Sequence, residues 1–165
     1  MDIRPARRDD DAALVALDQA TWSPDVSPGP EPSGKQEFFG PDEDPVNTLV
    51  AVVDGSVAGY IKLAPPTRLE SSRHVLMIRG LAVDPGHQGR GLGRKLIDAA
   101  VDEAKERGVR RLTLRVLAPN AGARALYEAC GFEVEGVQRE EFLLNGRYVD
   151  DVLMAKSLRD LQPPG

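Results

Sequence analysis

The run Leu81-Ala-Val-Asp-Pro-Gly-His-Gln-Gly-Arg-Gly-Leu-Gly-Arg-Lys95 constrains this chain more than any other part of it. An apolar strand, His74–Val83, feeds a glycine-rich turn, and the turn opens a helix over Leu92–Arg107. Leu92, Leu96, Ala100 and Ala104, with Ile97 and Val101 beside them, place an apolar stripe along that helix. A strand, a turn and a helix N-terminus in this order make an anion site. The N–H groups of the turn and the positive end of the helix dipole converge on one point. Gly89, Gly91 and Gly93 let the main chain approach a phosphate with no Cβ in the way, and Arg90, Arg94 and Lys95 add charge nearby.

Three phosphate-binding patterns compete for this turn. A P-loop needs G-x-x-x-x-G-K-[ST]; Gly86 and Gly91 have the spacing, but Leu92 and Gly93 follow. A dinucleotide fingerprint needs G-x-G-x-x-G and an acid closing the next strand, whereas Arg111–Leu117 contains no acid. The third fits. Gln88-x-x-Gly91-x-Gly93 after Leu-Ala-Val-Asp-Pro resembles the pyrophosphate loop of the GCN5-related N-acetyltransferase family. The resemblance continues through Leu112–Leu117, Asn120 and Ala125-Leu-Tyr-Glu-Ala-Cys-Gly-Phe132, which is similar to the family's second cofactor segment. The opening Ile3-Arg4-Pro5-Ala6 and the closing Asp150…Met154-Ala-Lys156 match as well, so the likeness spans nearly the whole chain and is weakest over Trp22–Pro45.

The remaining patterning agrees on a fold class. Asp2–Ala6 reads as a strand, and Arg8–Ala20 as a helix with apolar positions at Ala12, Ala13, Leu17 and Ala20. Thr48–Val53 and Val57–Leu63 flank the hairpin signal Asp54-Gly55; Phe132–Leu144 and Arg147–Met154 flank Asn145-Gly146. Asn120 caps a short helix that Gly131 closes. The expectation is one α+β domain over residues 1–165, of the three-layer sandwich type. Its sheet is mostly antiparallel with one parallel crossover through Leu92–Arg107. The resemblance adds that the sheet splays at that central parallel pair.

The resemblance also implies roles. Acetyl-CoA is the expected cosubstrate, its pyrophosphate held by the amides of Gln88, Gly89, Arg90, Gly91, Leu92, Gly93 and Arg94. Leu81, Ala82 and Val83 form the splayed edge that pairs with pantetheine and offers an N–H to the thioester oxygen. Asn120 contacts the pantetheine arm, beside its simpler reading as a helix cap. Tyr127, which could be core packing alone, faces the sulfur and protonates the leaving thiolate; an ordinary phenol with a pKa of ~10 is protonated at neutral pH as this requires. The expected reaction is direct attack of a primary amine in a ternary complex, on a small-molecule or amino-acid acceptor. A protein N-terminus or lysine, or a non-catalytic acyl-CoA sensor, are the alternatives.

An acceptor ammonium with a pKa of ~10.4 must lose a proton before it attacks. His74, Glu140, Glu141, Asp150 and Asp151 are candidate bases, with a water chain to a remote acid as another route. Strand alternation sends Asp150 and Asp151 to opposite faces; the resemblance, in which an acid often stands near this position, makes Asp150 the choice. Trp22–Pro45 carries six prolines, and Lys35–Phe39 within it could form one helical turn. The segment is expected either to border the acceptor, with walls from Trp22, Phe38 and Phe39 and carboxylates from Asp25, Glu31 and Glu37, or to be a solvated insertion with its aromatics tucked onto the core.

Composition narrows the classes further. A net charge of -5, with basic residues scattered except around Arg90, Arg94 and Lys95, lacks the basic face that nucleic acid requires. The lone Cys130 permits no intrachain disulfide and is read as small core packing rather than a nucleophile. His74 and His87 have no partners at ligand spacing, so no metal is expected. No apolar run approaches the ~18 residues of a membrane span, and Met-Asp-Ile-Arg-Pro-Ala-Arg-Arg lacks a signal-peptide core. The expected setting is cytoplasmic, without a membrane partner; a homodimer is possible by resemblance.

Overall fold

The computed structural model describes residues 1–32 and 37–159. Strands β1 (Asp2–Pro5), β2 (Thr48–Val53), β3 (Ser56–Ala64), β4 (Val75–Val83), β5 (Arg111–Leu117), β6 (Glu133–Leu144) and β7 (Arg147–Ser157) form one sheet in the order β1-β2-β3-β4-β5-β7-β6. Helices α1 (Asp11–Thr21), α2 (Leu92–Glu106) and α3 (Ala121–Ala129) pack on it. Both hairpins close as their turn residues dictate: Asp54 and Gly55 have φ of 50° and 80°, Asn145 and Gly146 of 52° and 75°. Two successive positive φ values make the turn whose twist matches the strands. Among the described strands only β4 and β5 pair in parallel, joined through α2, as expected.

The two faces carry separate cores. Leu49, Ala51, Ile61 and Leu63 pack against α2 and α3, while Val50, Tyr60 and Ala82 pack against Leu14 and Leu17 of α1. Strand alternation produces this division. Bulges in β3 and β4 change it. Lys62 pairs with Gly80 but Leu63 pairs with Ile78, so Arg79 is an extra residue bulging from β4. Before the bulge, Leu76 and Ile78 face α2; after it, Ala82 faces α1 while Leu81 and Val83 turn toward α2. Helix α2 buries the stripe its spacing predicts, with Leu96 and Ile97 fully covered, each worth about 1.5–3 kcal/mol.

The apolar face of α1 differs from the sequence reading. Leu14 and Leu17 are buried, whereas Ala12, Ala13 and Ala20 are exposed. Alanine tolerates either environment, so the larger leucines set the phase of the helix. Asp18, one turn after Leu14, therefore lies along the sheet-facing side.

The turn into α1 is fixed by an ion pair. Arg4 donates from Nη1 and Nη2 to the Asp10 carboxylate at 2.8 and 3.0 Å, and the Arg7 amide donates to Asp10 Oδ2 at 2.8 Å. The Arg4 guanidinium, with the Arg7 amide, holds the Asp10 carboxyl below its ordinary range against the opposing effect of burial. Asp10→Asn is expected to cost about 1–2 kcal/mol at neutral pH. A folded-state pKa that is depressed gives stability present above the unfolded value of ~4 and lost as pH falls through the folded one. Urea midpoints of wild type and Asp10→Asn should therefore converge between pH 7 and pH 3; an equal gap at both would contradict this role.

Candidate active site

Strands β4 and β5 pair only from Val75 with Arg111 to Ile78 with Leu114. Beyond that point they part, and a cleft of about 470 Å³ occupies the gap. The Asp84 amide donates to the Ala58 carbonyl of β3 at 2.7 Å. Main-chain groups alternate sides along a strand, so those of Leu81 and Val83 point away from β3 and into the gap. Gln88 Nε2 donates to the Val83 carbonyl at 3.1 Å, which agrees with that direction. The Leu81 amide is thereby a main-chain donor aimed into a cleft that no neighbouring strand closes.

Tyr127 enters the cleft from the α2 side. It is 7% exposed, its ring packs edge-on against Phe132 at 5.7 Å, and its hydroxyl has no hydrogen-bond partner among the described residues. Burial, and secondarily Cys130, raises its pKa strongly, so the phenol holds its proton. From the α1 side come Asp18 and Tyr60. The Tyr60 hydroxyl donates to Asp18 Oδ1 at 2.5 Å, and both line the cleft. Burial raises the Asp18 pKa, opposed by the Tyr60 hydrogen bond and the charge of Lys62. The Tyr60 phenol is raised too, by burial first and then by Asp18. The cleft thus passes through the sheet, with groups from both faces meeting in it.

The turn Pro85–Gly91 leads from β4 to α2. Gly89 and Gly91 have φ of 79° and 78°, the left-handed region in which a side chain is strained, and open space lies where their Cβ atoms would be. Gly91 is the N-cap of α2 and supplies no side-chain cap. The first amides of the helix have no intrahelical partner, so they face that open space as donors. Arg90 and Arg94 are exposed beside them. These are the requirements of a pyrophosphate cradle, and the residues present meet them. The missing side chain of Gly93 also serves packing. A Cβ there would meet Leu126 Cδ2 at 3.0 Å, so its smallness serves the contact of α2 with α3.

The model of the acetyltransferase (GNAT) family matches residues 12–132. The chain belongs to the GNAT family. The [ribosomal protein bS18]-alanine N-acetyltransferase of Escherichia coli K12 is 43% identical over 46% of this GNAT chain and 51% of its own length. The chain thus spans about half of that relative in the match. The enzyme of the same name from Salmonella typhimurium is 32% identical over 82% of this chain and 88% of its own. The L-amino acid N-acetyltransferase AaaT of Escherichia coli is 34% identical over 70% of each. In three dimensions, yncA from Salmonella typhimurium, solved with its cofactor acetyl-CoA, superposes with a TM-score of 0.82 at 24% identity. That alignment covers 100% of this chain and 98% of the other, and shares the fold.

The remaining sequence-read residues of this GNAT chain divide. Asn120 is the helix cap, its Oδ1 accepting from the Ala123 amide at 3.3 Å, and the residue also lines the cleft. Leu92 is buried as part of the α2 stripe. Asp150 is not brought to the cleft. Its carboxylate accepts from the amide of Glu140, which sits at φ 50° in a bulge of β6, at 2.9 Å. Asp151 points the other way, 3% exposed, and accepts from Arg115 Nε at 2.6 Å. Glu140 and Glu141 are exposed; His74 lies beside Arg110 and Arg111 outside the cleft. Cys130 is buried and free, its thiol pushed up by burial. Among the described residues no three His, Cys, Asp or Glu are grouped to hold a metal, and no helix is long and apolar enough to cross a membrane.

The Trp22–Pro45 segment is likewise split. Trp22, Val26, Ser27, Pro30 and Pro32 line the cleft, and Trp22 Nε1 donates to the Gly29 carbonyl at 3.2 Å. Phe38 and Phe39 do not supply cleft walls. Phe39 is 2% exposed in the α1-side core, and Phe38 packs edge-on to Tyr60 at 5.0 Å. Both of their amides donate to Asp11 Oδ2 at 3.0 Å, which pins this stretch to the start of α1. Asp25, Glu31 and Glu37 are exposed and do not line the cleft. Of the helical turn expected at Lys35–Phe39, Lys35 and Gln36 fall outside the described residues, and Phe38 and Phe39 form a bend. Among the described residues the carboxylate that does line the cleft is Asp18. Its signal was a charged residue four positions after Leu14, which the misphased alanine stripe concealed.

Proposed function

We propose that this protein transfers an acetyl group from acetyl-CoA to a primary amine, by direct attack while both are bound. The observation that carries the reading is the Tyr127 hydroxyl, unpartnered in a gap that also receives the Leu81 amide and opens beside the uncapped N-terminus of α2. The turn Gln88–Gly93 would hold the pyrophosphate with main-chain donors, and Leu81 would donate to the carbonyl oxygen as negative charge develops on it. Tyr127 would protonate the departing thiolate. A sensor that only bound the cosubstrate would have no use for a buried phenol held at the cleft. Two amino-group chemistries are represented among the relatives, a ribosomal-protein alanine and free L-amino acids. A small-molecule or amino-acid acceptor is the reading adopted, with a protein N-terminus as the alternative that the bS18-alanine enzymes favour.

Thiol release from acetyl-CoA in the presence of a panel of amines tests the proposal. Amine-dependent release is expected; tight cosubstrate binding with no release for any amine would favour the sensor instead.

A further inference from the structure

The α1-side half of the cleft combines opposite charges in a way the transfer reaction alone does not require. Asp18 projects from the last turns of α1, and only one of its carboxylate oxygens is engaged, by Tyr60 at 2.5 Å. Among the described residues the other oxygen has no hydrogen-bond partner, and the side chain lines the cleft. Two guanidinium groups, Arg79 and Arg115, line the same cleft. Arg115 follows Leu114 and precedes Val116, both packed toward α2, so alternation puts its side chain on the α1 face with Tyr60. It is held there by Asp151 and by Gln138. Arg79 is the bulged residue at which β4 and β5 part, and its side chain makes one hydrogen bond among the described residues, a 3.4 Å donation to the Pro65 carbonyl.

We infer that this half of the cleft recognises a zwitterion: Asp18 receives the acceptor's ammonium and takes its proton, while Arg79 and Arg115 hold an anionic group next to the amine. The substrate class is then a free amino acid or a similar small amino-carboxylate, in preference to the N-terminus of a peptide, whose neighbouring carboxyl is an uncharged amide. Tyr60 is a positioning residue that fixes the Asp18 carboxylate through its hydroxyl. The proton balance closes. The ammonium nitrogen loses two protons as the N–C bond forms and the C–S bond breaks. One leaves through Asp18 to solvent, and the second balances the proton Tyr127 gives to the thiolate. The inference rests on the acetyl-transfer reading above, and its test keeps the two apart.

The test measures acetyl-CoA affinity by calorimetry, and thiol release with four acceptor forms: free amino acids, their carboxamides, the corresponding decarboxylated amines, and short peptides with a free N-terminus. Free amino acids are expected to exceed the other three in kcat/KM by at least 10-fold. Asp18→Asn should lower kcat/KM by roughly 10²-fold or more while acetyl-CoA affinity stays within 2-fold or so of wild type. Arg79→Gln, at an exposed side chain whose loss threatens no fold, should weaken amino acids by about 10-fold and leave carboxamides unchanged, narrowing the gap between them. Equal or better use of peptides or decarboxylated amines, with thiol release intact, would overturn the zwitterion inference and leave the transfer reading standing. Full activity of Asp18→Asn would do the same for its role as base. Absence of acetyl-CoA binding in the wild type would instead remove the parent reading.

Discussion

Gly91→Val is expected to abolish measurable acetyl-CoA binding, a loss of at least about 100-fold, or ~2.7 kcal/mol, in calorimetry. Two effects combine. A β-branched residue at φ 78° is strained, and relief of that strain rotates the amides of the turn away from their common focus. The added side chain would also fill the open space on the far side of the α2 N-cap, where a phosphate would approach. Strain alone is controlled by Gly108→Val. Gly108 has φ 76° and equally open surroundings, but it closes α2 at the opposite end from the cleft. That variant should lose stability to a similar degree and keep its affinity for acetyl-CoA. Unchanged binding in a folded Gly91→Val protein would show that the turn does not cradle the cosubstrate.

Tyr127→Phe should lower turnover by about 10²-fold, the scale of one general acid, with acetyl-CoA affinity and melting temperature near wild type. The fold tolerates the change because the edge-on contact of the ring with Phe132 survives, and no hydrogen bond to the hydroxyl among the described residues is lost. Burial fixes the accompanying pH behaviour. The phenol's pKa is raised above its ordinary value of ~10, so it remains protonated throughout the accessible range. Wild-type turnover should therefore show no alkaline decline from Tyr127 below about pH 10. Turnover unaltered in Tyr127→Phe would reduce the residue to packing and leave the thiolate to be protonated by water.

The turn at Gly91 is legible in the amino-acid sequence for a physical reason, whereas the role proposed for Tyr127 comes from the family resemblance. The Gly89–Gly91 turn, the α2 stripe and the Asp54-Gly55 and Asn145-Gly146 hairpins are local events, each written in a few consecutive residues whose backbone preferences admit one conformation. The proposed base was not legible. Alternation correctly separated Asp150 from Asp151, but each carboxylate is committed to a partner distant in sequence or paired across strands: Glu140 across a bulge, Arg115 across a strand pair. Asp18 was hidden because four alanines blurred the phase of α1, and only packing of Leu14 and Leu17 resolves it. Phe38 and Phe39 sit in a proline-rich stretch without periodicity, and the tether from Asp11 that carries them to the core has no local signature.

The bulge at Arg79 has a kinetic consequence. By exchanging which residues of β4 look toward α1 and which toward α2, it leaves the sheet acting as a partition with a slot, approached by Asp18 and Tyr60 from one side and by Tyr127 from the other. Two reactants that arrive at such a slot through separate doors do not obstruct one another. Initial-rate plots should then intersect rather than run parallel, without a compulsory order of arrival. A cosubstrate analogue lacking the sulfur should compete with acetyl-CoA and yet be noncompetitive toward the amine. Parallel lines would mean that the acetyl group rests covalently on the protein between half-reactions, a route for which buried Cys130, its thiol pushed up by burial, is poorly equipped.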